Sequence, residues 1–110
     1  MTLELLYLPS CPHHRAALDL VQSVLKEEGL GAHFIETPVS DYEEAERHRF
    51  PGSPTFRVNG RDIEGVSAGF LPVGLACRTY LVDGKSEGVP PRIWLERAVR
   101  AAQNSEENRS

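Results

Sequence analysis

From Leu3 to Leu8 every residue but Glu4 is apolar, without alternation, and past a Pro-Ser-Cys-Pro-His-His turn apolar residues recur at helical spacing at Ala17, Leu18, Val21, Val24 and Leu25. This apolar run predicts a short strand buried on both faces, because a strand with one wet face alternates apolar with polar. The spaced stripe predicts one amphipathic helix that begins near Pro12 and ends at Gly29 and Gly31. Ala32 to Glu36 predicts a second strand, broken by Thr37-Pro38. Ser40 and Glu43 have the spacing of a capping box and Glu43 with Arg47 is an i,i+4 pair, so Asp41 to Arg49 predicts a short, polar, solvent-facing helix.

The turn cluster Phe50-Pro51-Gly52-Ser53-Pro54 leads into a strand, Thr55 to Val58, closed by Asn59-Gly60. Residues 61–75 hold three glycines, a proline and no sustained period, which predicts a long loop of the kind that carries function. Cys77 to Val82 returns to strand character and Asp83-Gly84 turns the chain. Pro90-Pro91 opens a last helix with Trp94, Leu95, Ala98, Val99 and Ala102 on its buried side. The expected order is β-α-β-α-β-β-α: an α/β domain over residues 1–103 with a mixed four-stranded sheet flanked by helices, and a disordered polar tail at 104–110.

Composition narrows the function. The 110 residues, 40% hydrophobic and 25% charged, suit one globular domain. A net charge of -4 argues against nucleic acid as a partner, since phosphate binding needs a basic surface. No run approaches the roughly 20 apolar residues of a membrane span, and the start lacks a basic segment followed by a long apolar one, so a cytoplasmic protein is expected. Two cysteines do not make a disulfide framework, and in a reducing compartment each is packing or chemistry.

Three stretches together resemble the thioredoxin superfamily: the strand-Cys-helix junction Ser10-Cys11-Pro12-His13-His14, the Ser53-Pro54-Thr55 segment before a strand, and the closing strand, glycine and helix. The likeness covers roughly residues 2 to 102, apart from 61–75. It implies a thioredoxin-like fold with Cys11 as the reactive thiol and Pro54 as a cis-proline beside it. Ser10, Pro12, Ser53 and Thr55 are then expected to form the surface that meets an extended substrate. The junction departs from the family at His14, where a second cysteine usually stands.

The chemistry follows from position. A cysteine at a helix start faces unpaired backbone N–H groups and the positive end of the dipole, which favour a partly exposed, reactive thiolate. Histidine cannot close a disulfide, so His14 is expected to act electrostatically on Cys11 or to donate a proton to a leaving thiol. Dithiol chemistry within the junction is excluded, which leaves monothiol chemistry or a distant partner. Cys77 is either that resolving thiol or a buried packing residue. His13 and His14 beside Cys11 lack a second Cys/His pair at zinc spacing, and no resident metal or cofactor is called for. His33 and His48 read as structural or solvated, and the carboxylates from Asp41 to Glu46 as a wet helix face.

Three functions fit this pattern. One is a thiol-dependent oxidoreductase acting on protein or small-molecule thiols and disulfides. Another is a module that captures a soft metal such as copper or mercury, or a thiol ligand, without turnover. The last is a structural domain with a residual cysteine. A monomer or weak dimer is expected in each case.

Overall fold

The computed structural model describes residues 1–28 and 31–107. Strand β1 (Thr2–Tyr7) lies inside a mixed sheet of order β2-β1-β3-β4, parallel to β2 (His33–Pro38) and antiparallel to β3 (Thr55–Val58). Strand β4 (Arg61–Asp62) pairs antiparallel with β3. Helix α1 (His14–Glu28) joins β1 to β2, and α2 (Tyr42–Arg47) joins β2 to β3. A 3-10 helix (Gly65–Phe70) follows β4, then a separate hairpin of β5 (Tyr80–Val82) and β6 (Lys85–Glu87), then α3 (Arg92–Glu107). The radius of gyration, 13.6 Å, is close to the roughly 13 Å expected of one folded domain of this length.

The sheet is covered on both faces, as the apolar run of β1 requires. Leu3 and Leu5 face a core built with Ala17, Val21 and Val24 of α1, Phe56 and Val58 of β3, Tyr80, and Leu95 and Val99 of α3. Leu6 faces a smaller cluster with Val39, Ala45 of α2 and Phe50. Each of these leucines is fully buried, which favours folding by about 1.5–3 kcal/mol per side chain. Among the described residues no helix is long and apolar enough to cross a membrane.

The mixed four-stranded sheet and its helices match the expectation, but several boundaries do not. The expected fourth strand, Cys77 to Val82, is not in the main sheet. That place belongs to Arg61–Asp62, inside the segment read as loop, because Asn59 (φ 52°) and Gly60 (φ 81°) reverse the chain in a tight hairpin. Only Tyr80–Val82 of the later segment is strand, and it pairs forward with β6 across Asp83-Gly84, both at positive φ.

Thr37-Pro38 does not break β2. The strand is an edge with β1 as its one neighbour, where a missing N–H is tolerated. The capping box of α2 sits one residue later than expected: Asp41 Oδ1 accepts from Glu44 N at 2.8 Å, and Ser40 N donates to Glu44 Oε2 at 3.1 Å. Helix α3 continues through Glu107, past the tail boundary expected at 103. Gly29, expected to end α1, and residues 108–110 of the expected tail lie outside the described residues.

Candidate functional site

The turn from β1 into α1 carries Cys11. Its N–H donates to Leu8 O at 2.9 Å, and its own carbonyl accepts from His14 N at 3.3 Å. The first regular residue of α1 is therefore His14, so Cys11 and Pro12 occupy the turn ahead of the helix and not its first helical turn. Cys11 is buried, 9% exposed, against the expectation of a partly exposed thiol, while Ser10 and Pro12 on either side of it are exposed. Among the described residues no hydrogen bond or ion pair reaches the Cys11 sulfur.

His14 is held elsewhere. Its ring stacks on Tyr7 with centroids 3.8 Å apart and planes within 6°, and Nε2 lies 3.2 Å from Glu36 Oε2. The side chain expected to attend the thiolate thus bridges the ends of β1 and β2. The ring of His13 lies directly over Gly88, where a Cβ would sit 2.5 Å from Cε1, so the turn before α1 also rests on the chain that follows the β5–β6 hairpin.

The Ser53-Pro54 bond is cis, as the resemblance implies. Ser53 is fully buried and makes three bonds that bring two distant segments together. Its Oγ accepts from Leu8 N at 3.0 Å, three residues before Cys11. Its N–H donates to Ala76 O at 2.9 Å, and its carbonyl accepts from Arg78 N at 2.8 Å, which makes a parallel bridge to Cys77. The backbone edge expected to receive an extended substrate is occupied by the chain's own residues 76–78. Thr55, also expected to face substrate, is fully buried, donating from Oγ1 to Gly52 O at 2.7 Å.

Gly52 makes that approach possible. It sits at φ 130°, and a Cβ there would lie 3.0 Å from both Ala76 O and Arg78 Cβ. Gly52→Ala is expected to destabilise the fold by about 1–3 kcal/mol through backbone conformation and crowding, read as a lower urea midpoint. An unchanged midpoint would mean that residues 76–78 do not press on the 52–54 turn.

Cys77 is exposed, which removes the buried-packing alternative. Its neighbour Arg78, 4% exposed, anchors the segment. Nη1 donates to Asp62 Oδ2 at 2.6 Å and to Thr55 Oγ1 at 3.1 Å; Nη2 donates to Asp62 Oδ1 at 2.9 Å and to Glu64 Oε1 at 2.7 Å. The guanidinium carbon lies 4.6 Å from the centre of the Tyr80 ring. Burial alone would lower the affinity of Arg78 for its proton, but the bonds to Asp62 and Glu64 outweigh it and hold the pKa above the ordinary arginine value. Burial raises the pKa of Tyr80, and its Oη donates to Pro54 O at 2.5 Å.

Sequence reasoning missed Arg78. Its one sequence signal is a charged residue two positions before a tyrosine in a segment of strand character, a spacing that puts both on one side of an extended chain. Neither a scan against protein-family models nor a search of curated proteins finds a match for the chain.

Proposed function

We infer that the chain is a thiol–disulfide exchange protein on a thioredoxin-like core, with Cys11 as attacking thiol and Cys77 as resolving thiol. The observation that carries this reading is the convergence on Ser53: its side chain holds the turn that leads to Cys11, and its backbone holds Cys77. Attack on a disulfide uses the thiolate, and a sulfur just ahead of a helix faces the end that stabilises negative charge. Cys77 lies in extended chain, bridged to Ser53 and not at the start of a helix. The exposed Ser10 and Pro12 form the rim at which a small disulfide or a strained protein disulfide would enter.

The electron balance is simple. The Cys11 thiolate attacks one sulfur of the substrate disulfide, forming a mixed disulfide and releasing the other sulfur as a thiolate that takes a proton from water. The Cys77 thiolate then attacks the Cys11 sulfur, forming the Cys11–Cys77 disulfide and releasing the second substrate thiol. The substrate is reduced by two electrons and the cysteine pair is oxidised by two. A low-molecular-weight thiol, itself oxidised to a disulfide, restores the reduced pair. His14 acts here as a positioning residue, tying the start of α1 to Tyr7 and Glu36.

The test is to oxidise the reduced protein with a small excess of oxidised glutathione, digest it without reduction, and map the cysteines by mass spectrometry. A Cys11–Cys77 peptide pair within one chain is expected as the main product. Separate glutathione adducts on the two cysteines, with no internal disulfide, would overturn the resolving role of Cys77. Monothiol exchange at Cys11 would take its place.

A further inference from the structure

The hairpin β3–β4, the end of α2 and the 3-10 helix border an open cleft of about 720 Å³ that neither cysteine lines, a volume within the range that holds small-molecule ligands. Its lining combines two chemistries: Pro51, Val66, Ala68, Leu71 and Val73 are apolar, and Arg49, Arg57 and Arg61, with His48, are basic. Val66 is 86% exposed, a large apolar side chain left facing solvent beside three positive charges.

Among the described residues none of the three arginines forms an ion pair. Arg57 makes one hydrogen bond, from Nη2 to Arg49 O at 3.2 Å, an arrangement that the positive φ of Arg49 (49°) accompanies. Burial disfavours the charge of Arg57; Glu4, its register partner on β1, and Asp62 support it, while Arg78 opposes it. The one carboxylate in the lining is Asp62, and Arg78 already engages both of its oxygens. Glu4 is occupied as acceptor from Thr37 Oγ1 at 2.6 Å. In a chain of net charge -4, three guanidinium groups without an ion pair gather on one cavity, and a partly buried arginine whose neighbouring carboxylates are engaged by other donors is what a bound anion relieves.

The geometry points to a binding site for a small organic acid, its anionic head against Arg57 and Arg61 and its apolar body along Val66, Leu71 and Val73. An inorganic anion would leave the apolar wall wet, and a neutral hydrocarbon would leave the arginines unpaired. This site is separate from the thiol chemistry, and its test does not depend on either cysteine.

The probe is octanoate, titrated calorimetrically into the full chain, with octan-1-ol and inorganic phosphate as arms that carry only the apolar body or only the charge. Octanoate is expected to bind at one site, with shifts of the Val66, Gly69 and Val73 amide resonances, and to bind about tenfold or more tightly than either comparison compound. Arg57→Gln is expected to weaken it by a similar factor. Arg61 is exposed, so Arg61→Gln gives a second test on a folded protein and is expected to weaken octanoate without changing octan-1-ol. Octan-1-ol binding as tightly as octanoate would reduce the cavity to an apolar groove, and phosphate binding as tightly would leave the apolar wall without a role. Either result, affinity unchanged in both arginine variants, or no octanoate binding at millimolar concentration would overturn the proposal.

Discussion

Replacing Arg78 with alanine is expected to cost about 3–5 kcal/mol of stability, the range seen when one partner is removed from a buried ion pair. The variant would leave Asp62, whose side chain is 10% exposed, without its cation, and would strip Thr55 and Glu64 of a donor. It would also remove the bulk beneath the Tyr80 ring, whose hydroxyl bonds to Pro54 O. Urea denaturation measures the loss directly. The pairing of residues 76–78 with Ser53 should loosen at the same time, so the amides of Ser53 and Arg78 should exchange with solvent faster than in the parent. A double variant, Arg78→Met with Asp62→Leu, separates charge from packing: the one partner carboxylate left without its cation is then Glu64, whose side chain is 27% exposed, so it should recover much of the stability, since a buried pair replaced by apolar residues is often neutral. A loss below about 1 kcal/mol in Arg78→Ala would show that Asp62 is well solvated and that the network contributes little.

The fold is legible in the sequence wherever apolar spacing is continuous. Strand β1 and helix α1 follow from the change of period at Cys11, and α3 from the stripe through Leu95 and Val99, both fully buried. Strand β4 is harder to see because two residues, both charged and one exposed, carry no alternation; its one mark is the Asn59-Gly60 dipeptide that turns β3 back on itself. The segment from Cys77 has the composition of a strand, but the first half of it is used to pair with Ser53 and only the second half forms β5. Local pattern cannot distinguish these partners, since either one satisfies the same backbone groups.

The candidate site divides in the same way. Cys11 and the cis Ser53-Pro54 bond are legible as short motifs at element boundaries. The meeting of Cys77 with Ser53 depends on Gly52 admitting the approach and on Arg78 anchoring it to Asp62 and Glu64, contacts between segments that sequence spacing does not order. His14 shows the opposite limit. Its place beside Cys11 in the chain suggests contact, yet the ring stacks on Tyr7 and pairs with Glu36, because the turn before α1 directs it toward the β1–β2 side of the sheet. The basic residues that line the cleft, Arg49, Arg57 and Arg61, are dispersed in the sequence and are assembled by the end of α2 and the β3–β4 hairpin.

Two single substitutions should separate the roles of the sulfurs. With oxidised glutathione as substrate and a dithiol as final reductant, Cys11→Ser is expected to abolish exchange, because a serine hydroxyl is not ionised near neutral pH and does not attack a disulfide. Cys77→Ser is expected to keep the first step and lose the second, so that a chain carrying one glutathione on Cys11 accumulates and is seen as a single adduct by intact mass. Both variants should fold as the parent does: Cys77 is exposed, and at Cys11 the change is a single atom beside exposed Ser10 and Pro12. Matched near-ultraviolet dichroism checks that point. Cys11 is the more buried sulfur, so access alone would favour the opposite order, with Cys77 attacking first and Cys11 resolving. In that case the adduct would accumulate on Cys77 in Cys11→Ser, and Cys77→Ser would be the inactive protein. The two variants therefore weigh the charge-stabilising position of Cys11 against the exposure of Cys77, and the cysteine that carries the trapped glutathione identifies the attacking sulfur.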